Sequence, residues 1–108
     1  MIQKLKLAYL TYKAAKINAG RVTAANFMRS LGIDEVDVRR YRGAFGSKVR
    51  DAYAATYDGA LPPKDGVELM RIKGKFQLIP TYSYAWDEQA ILVRAALNHR
   101  SVAQLIGS

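Results

Sequence analysis

The side chains best suited to chemistry in this chain are arginines and lysines that stand in two groups. Arg39, Arg40 and Arg42 fall within one strongly periodic stretch, so a helix there carries them together. Each guanidinium offers a rigid fork of donors that fits a carboxylate, a phosphate or the edge of a guanine. The second group surrounds a predicted turn and consists of Arg71, Lys73 and Lys75. Both groups favour the recognition of an anion over the making or breaking of bonds.

The residues that an enzyme site needs are sparse. His99 is the single histidine and stands beside Arg100, whereas a general base needs a substrate proton and an orienting partner within reach. Asp87 and Glu88 are adjacent on a predicted helix, so their carboxylates do not face one another. The sequence has no cysteine and no glycine-rich phosphate loop after a strand. We therefore expect no enzyme activity, no catalytic residue, no cofactor and no metal site.

The net charge is strongly positive and unevenly distributed. Seventeen lysines and arginines oppose nine acidic residues among 108 positions, which gives +8 at pH 7. Residues 1–50 hold eleven of the basic and three of the acidic residues, so this half carries the whole surplus. Such a field attracts a polyanion, for which nucleic acid, an anionic membrane surface or an acidic protein are the candidates. No apolar run approaches the ~18 residues that span a bilayer.

Length, periodicity and turn signals predict one domain over 1–108, with a helical part over 1–57. A first helix is expected over residues 2–19. A short helix follows from Ala24 to Leu31, with Thr23 as its N-cap.

The third predicted helix is the most strongly periodic segment. Its candidate N-cap is Asp34, or Asp37 one turn later, and the helix ends near Tyr57. Its inward positions are Val38, Tyr41, Phe45, Val49, Ala52 and Thr56. Gly43 and Gly46 lie inside it, where they indicate a kink or the close approach of another backbone.

Residues 58–66 form a proline- and glycine-rich loop, and residues 67–83 predict a β-hairpin. Its strands, Val67–Lys73 and Phe76–Tyr82, are rich in β-branched and aromatic residues. Gly74 and Lys75 between them suit a two-residue type II′ turn, which places glycine first. Pro80 cannot donate to a ladder, so the second strand is expected at an edge.

A C-terminal helix is expected over residues 87–106, with Asp87 as its N-cap and a break near Asn98–Ser101. Its apolar stripe consists of Ile91, Leu92, Ala95, Val102, Leu105 and Ile106. This stripe either completes the core or pairs with a second chain. A homodimer through the C-terminal helix is therefore a prediction, because readers of symmetric DNA sites are commonly dimers.

Residues 24–43 resemble the bacterial helix-turn-helix pattern. The matching positions are Gly32 in the turn, Ile33 after it, Phe27 and Leu31 before it, and Val38 and Tyr41 on the inner face of the second helix. Met28 departs from the pattern, since the family usually has an alanine where the two helices touch. Residues 1–83 are similar in layout to a winged helix-turn-helix domain, in which a hairpin follows the helix pair. The resemblance implies a mainly α fold with a β-hairpin, in the α+β class.

The resemblance also implies which residues contact DNA. Outward positions near the start of the second helix enter the major groove in that family, and here they include Arg39, Arg40 and Arg42. Residues further along the same helix are expected to meet phosphate: Ser47, Lys48 and Arg50. Residues of the wing are expected at a minor groove or its phosphates: Arg71, Lys73 and Lys75. The implied function is sequence-specific binding of double-stranded DNA by a small bacterial, phage or plasmid transcriptional regulator or accessory factor. Such a protein works in the cytoplasm, at the nucleoid.

Two other classes of function remain open. A protein-interaction module or inhibitor would use the basic face to bind an acidic partner. A binder of RNA or single strands would stack bases on Tyr82, Tyr84 and Trp86. A membrane partner is not expected, because the lysines of the first helix are not confined to one polar stripe.

Overall fold

The structure, a computed structural model, describes residues 2–107 and belongs to the α+β class. Within that range it contains five α-helices, two two-stranded antiparallel sheets and one 3₁₀ turn. In chain order the elements are α1 (Ile2–Ile17), β1 (Arg21–Thr23), α2 (Ala24–Ser30), α3 (Glu35–Thr56), β2 (Gly66–Ile72), β3 (Lys75–Thr81), β4 (Ser83–Ala85), the 3₁₀ turn (Trp86–Glu88), α4 (Gln89–Asn98) and α5 (Arg100–Gly107). None of the helices in residues 2–107 combines the length and the apolar character needed to cross a membrane.

Helices α2 and α3 form a packed pair joined by a tight turn. The Thr23 hydroxyl accepts the backbone N–H of Asn26 at 3.2 Å, which confirms Thr23 as the N-cap of α2. Gly32 has a φ of +82°, which suits glycine and turns the chain sharply after α2. The Phe27 ring stacks on Phe45 of α3, with centroids 6.1 Å apart. Asp34 immediately precedes α3 as predicted, but within the described structure its side chain makes no capping hydrogen bond.

The hydrophobic core is built around α3. Val38, Phe45 and Val49 are fully buried, as the sequence periodicity predicts. Met28, the departure from the helix-turn-helix pattern, is also fully buried. The opposite wall of the core comes from α4 and α5, through Leu92, Ala95, Ala96 and Val102. Helix α3 runs without a break through Gly43 and Gly46, and an added Cβ at Gly46 would lie 3.9 Å from Ala24 Cβ of α2.

The hairpin β2–β3 forms with a different turn from the predicted one. Ile72 pairs with Lys75, so the two turn residues are Lys73 and Gly74. Both have positive φ, +51° and +80°, which defines a type I′ turn. The prediction of a type II′ turn at Gly74 and Lys75 is therefore wrong. The type I′ turn matches the right-handed twist of the strands, and glycine then occupies its second position.

A second small sheet, which the sequence analysis does not predict, holds the base of the hairpin. Thr23 of β1 pairs with Ser83 of β4. Gly66, the first residue of β2, packs against this pair so closely that an added Cβ would lie 3.0 Å from Thr23 Cγ2. The Ser83 hydroxyl also donates a hydrogen bond to the Asp65 carboxylate. The loop, the hairpin and the start of α2 are therefore joined at one place.

The C-terminal region contains the predicted break, but its start differs. Ala85, not Asp87, is the N-cap of the 3₁₀ turn that opens the region, and its N–H donates to the Glu88 carboxylate at 2.8 Å. His99 separates α4 from α5, and its Nδ1 accepts the N–H of Val102 at 3.3 Å. Its ring packs edge-on to Tyr41 and Phe45, which makes it a packing and capping residue. Val102 of α5 completes the core, whereas Leu97 of α4 stays exposed. The homodimer remains a prediction.

Candidate nucleic-acid interface and the adjoining cleft

The three arginines at the start of α3 have different environments. The Arg39 side chain is 68% exposed, and Arg40 is also exposed, with its guanidinium 5.6 Å from the centre of the Tyr41 ring. The Arg42 side chain is only 20% exposed, and its Nη1 lies 3.4 Å from Oε1 of Glu68. Arg42 follows the fully buried Val38 by four residues, so both lie on the inner face of the helix. Arg39 and Arg40 are therefore accessible to an anion in solvent, and Arg42 is bound to the hairpin.

Glu68 is the acidic centre of a charge network between the helix pair and the hairpin. It is 7% exposed, and its Oε1 lies 2.6 Å from Nη2 of Arg29. The same Arg29 Nη2 lies 2.8 Å from Oε1 of Glu35, and Arg29 Nε donates to Oε2 of Glu35 at 2.9 Å. Arg39 joins at the rim, with its Nε 3.8 Å from Glu35 Oε1. The network ties the end of α2 and the start of α3 to β2.

The charges in this network shift one another's protonation equilibria. The hydrogen bonds from Arg29 hold the pKa of the Glu35 carboxyl below its ordinary value. Glu35 in turn raises the pKa of the Arg29 guanidinium above its ordinary value, and Glu68 adds to that shift. The contact between Arg29 and Glu35 is a charge-assisted, two-point pair, which is the stronger kind of ion pair.

Sequence reasoning missed Arg29, Glu35 and Glu68 as members of one site. A signal was nevertheless present. Glu68 is the one acidic residue in 67–83, a segment otherwise apolar, polar or basic. An acidic side chain at an inward strand position needs a cationic partner, and that partner must come from another element.

The hairpin tip carries the second predicted group. Lys73 and Lys75 are exposed on either side of Gly74. Arg71 is also exposed, and its guanidinium lies 5.7 Å from the centre of the Phe76 ring. These three cations therefore lie together at the free end of the hairpin.

The remaining residues predicted to contact DNA lie further along α3, and each has a hydrogen-bond or ion-pair partner within the protein. The Ser47 hydroxyl donates to the Gly43 carbonyl at 3.2 Å. Lys48 Nζ donates to the Asn98 carbonyl at 3.3 Å, and Arg50 lies 3.4 Å from the neighbouring Asp51 carboxylate. The structure therefore does not gather these residues with the hairpin tip.

A cleft of about 610 Å³ lies between α1, the start of α3 and strand β2, and we call it the β2-edge cleft. Leu7 and Ala14 of α1 and Leu69 of β2 contribute apolar lining. Arg39 of α3 and Arg71 of β2 line the same cleft. Members of both basic groups that the sequence predicts therefore border this one opening.

The aromatic cluster near residue 84 is not one open platform. Tyr84 is 1% exposed and packs on Tyr53, with ring centroids 5.8 Å apart, and burial raises the pKa of its hydroxyl. Tyr82 is half-buried, with Lys64 Nζ 5.4 Å from its ring centre. Trp86 is 61% exposed. Strand β4 ends at Ala85 and Trp86 begins the 3₁₀ turn, so Trp86 does not follow Tyr84 into the core.

Over residues 2–107, no three His, Cys, Asp or Glu side chains are grouped so that they could hold a metal ion. Comparison of the chain with known protein families, with curated proteins and with solved structures finds no match.

Proposed function

We propose that this chain binds double-stranded DNA through a basic surface shared by α3 and the hairpin. The proposed contacts, in chain order, are Arg39, Arg40, Arg71, Lys73 and Lys75. The observation that carries the proposal is that Arg39 of α3 and Arg71 of β2 line one cleft, so both basic elements border the same opening. Two separate basic elements on one side suit a ligand with charges on a long, regular backbone.

Two of the acidic residues near this surface, Glu35 and Glu68, are paired with arginine and so oppose an approaching phosphate only weakly. Glu35 and Glu68 are both paired with Arg29, and Glu68 is buried as well. Their charges are balanced within the protein, whereas Arg40, Lys73 and Lys75 face solvent. Asp34 and Asp37 also lie at the start of α3, but the exposed cations outnumber these two carboxylates, so the surface keeps a positive surplus.

The proposed arrangement is that of a winged helix-turn-helix protein. The supporting features are the short α2, the turn at Gly32, the long α3 and the hairpin that follows. In this arrangement the start of α3 enters the major groove, where Arg39 and Arg40 read base edges. Lys73 and Lys75 hold the flanking backbone. Arg42 supports the site from inside by its pairing with Glu68. A regulator or accessory factor of this kind acts on DNA in the cytoplasm.

The first experiment is selection from a pool of random duplexes at about physiological salt, where diffuse electrostatic binding is weakened. Enrichment of one sequence is the expected result. Enrichment of a palindrome would also support the predicted homodimer, since two-fold symmetric proteins match two-fold symmetric sites. A pool that shows no preferred sequence would overturn the sequence-specific part of the proposal.

A matched pair of double variants tests the roles of the residues. Arg39→Ala with Arg40→Ala removes two charges from α3, and Lys4→Ala with Lys6→Ala removes two from α1. We expect the first variant to lose about 1–3 kcal/mol of binding free energy per lost base contact and the second much less. Circular dichroism checks that both variants fold. Equal losses would mean that binding is diffuse attraction and not groove recognition.

A further inference from the structure

Strand β2 has a free edge. The register of the hairpin determines which residues of β2 turn their backbone N–H and C=O groups toward that edge. In a two-residue hairpin the pair beside the turn, Ile72 and Lys75, exchanges hydrogen bonds, and alternate pairs do not. Val67, Leu69 and Arg71 therefore turn their N–H and C=O groups away from β3. Asn18 verifies this direction independently. Its amide bonds both the N–H and the C=O of Val67, each at 2.9 Å.

Beyond Val67 the edge is open. Within residues 2–107 no protein group bonds the outward N–H and C=O of Leu69 or Arg71, and β3 is the one strand paired with β2. These four groups repeat the donor and acceptor pattern that an adjacent strand requires. The open stretch ends at Val67, because the Asn18 amide already bonds the N–H and C=O groups that an added strand would bond there.

The β2-edge cleft runs along this open edge. Five consecutive residues of β2, 67–71, line it, so both faces of the strand border the opening. A cleft beside one face alone would be lined by every second residue. Its volume of about 610 Å³ lies within the ~300–1,000 Å³ typical of binding pockets.

The two walls of the cleft differ in chemistry. The wall beside α1 is mostly apolar, with Leu7, Leu69 and Phe76. The wall beside α2 and α3 is charged, and its charged members are Arg29, Glu35, Arg39, Arg42 and Glu68. With Arg71 included, four arginines face two glutamates that are already paired. The cleft therefore carries a surplus of positive charge.

We propose that the β2-edge cleft binds an extended segment of an acidic protein partner, which adds a strand to β2. The open N–H and C=O groups of Leu69 and Arg71 select a peptide backbone, since nucleic acid offers no matching alternation of amide donors and acceptors. Alternate side chains of the bound segment point to opposite walls. Apolar side chains face α1 and acidic ones face Arg39 at the rim of the charged wall. This binding mode goes beyond the proposed DNA binding and does not depend on it.

The test uses three short peptides and the intact chain. The first alternates glutamate and valine, the second replaces each glutamate with lysine, and the third is the first with N-methyl groups on alternate amides. Binding is followed by amide NMR spectra and by hydrogen exchange. We expect the first peptide to bind and to slow exchange at the Leu69 and Arg71 amides. The other two should bind about tenfold more weakly or not at all, because each has lost charge pairing or strand hydrogen bonds.

Equal affinity of the N-methylated peptide would overturn the proposal, because binding would then need charge alone. Spectral changes at Lys73 and Lys75 without changes at Leu69 would overturn it as well. Leu69→Pro provides a protein-side test, since it removes one outward N–H and leaves the bonds to β3 in place. We expect it to weaken peptide binding about tenfold and to leave duplex binding unchanged. If this variant does not fold, the N-methylated peptide still decides the question on the unaltered chain.

Discussion

The Glu68 carboxylate lies 2.6 Å from the Arg29 guanidinium and 3.4 Å from that of Arg42, so one buried acid joins α2, α3 and the hairpin. The two arginines approach from helices that are adjacent in sequence, and Glu68 comes from a strand 26 residues beyond Arg42. This contact therefore helps to fix the position of the hairpin relative to α3. It also withdraws Arg42 from the exposed surface on which Arg39 and Arg40 lie.

Replacing Glu68 should destabilise the fold. Glu68→Gln keeps the size of the side chain but leaves Arg29 and Arg42 without the buried negative charge. We expect the free energy of unfolding to fall by about 1–3 kcal/mol, less than for a fully buried pair because Arg29 is partly exposed. Urea denaturation measures the change. Asp51→Asn, which breaks the exposed pair with Arg50, is the control and should change stability by under about 0.5 kcal/mol.

Acid should weaken the network through Glu35. The pKa of this carboxyl is lowered by Arg29 in the folded chain, so the unfolded chain takes up a proton at higher pH than the folded one. The stabilisation is fully present above the ordinary value of 4.5 and is lost as the pH falls through the lowered folded value. Since the Glu35 side chain is 45% exposed, we expect a contribution of under about 1 kcal/mol.

A comparison with Glu35→Gln isolates this contribution. Urea denaturation of both proteins at a series of pH values should show a stability difference at neutral pH that shrinks toward pH 3. A difference that stays constant across the series would contradict the assignment.

Two glycine-to-alanine substitutions should have opposite effects. At Gly66 an added Cβ would lie 3.0 Å from Thr23 Cγ2 and 3.2 Å from Ser83 Cβ, so Gly66→Ala should cost about 1–3 kcal/mol. At Gly43 the added Cβ meets nothing within 4 Å, and alanine is the better helix former. Gly43→Ala should therefore stabilise the protein by about 0.5–1 kcal/mol. Thermal unfolding of the two variants distinguishes them, and a loss for Gly43→Ala would show that α3 needs its glycine.

The type I′ turn predicts a stabilising substitution at Lys73. A left-handed conformation is unfavourable for lysine and better tolerated by asparagine, and Asn-Gly is the preferred type I′ pair. Lys73→Asn should raise the free energy of unfolding by about 0.5–1 kcal/mol. Lys75→Asn makes the same change of charge outside the turn and should give no such gain. Equal effects of the two would indicate relief of charge repulsion and not turn geometry.

The sequence predicted those elements whose signals are local. The N-cap at Thr23, the apolar period from Val38 to Val49 and the break near His99 each depend on residues a few positions apart. The β1–β4 sheet was missed because each strand has three residues, and its pairing depends on contacts 62 residues apart. The turn type was missed because lysine has no intrinsic preference for the left-handed conformation that Lys73 adopts.

The candidate site shows the same division. Arg39 and Arg40 were placed on the outer face of the helix, and the structure puts them there. Arg42 was placed with them, although its spacing from Val38 puts it on the inner face. Sequence alone could not supply its partner, since Glu68 belongs to another element. The β2-edge cleft depends on where α1 packs, and the period of α1 does not reveal this.

The pairing of Thr23 with Ser83 makes the chain between them a closed loop. The segment 24–82 starts and ends at this residue pair, so its two ends lie close together. This segment carries every residue proposed to contact DNA. The entropy needed to close so long a loop grows slowly with its length, but contacts within the loop must form before the closure is favourable. We therefore expect the two short strands to pair late in folding, after α2, α3 and the hairpin have shortened the distance between their ends.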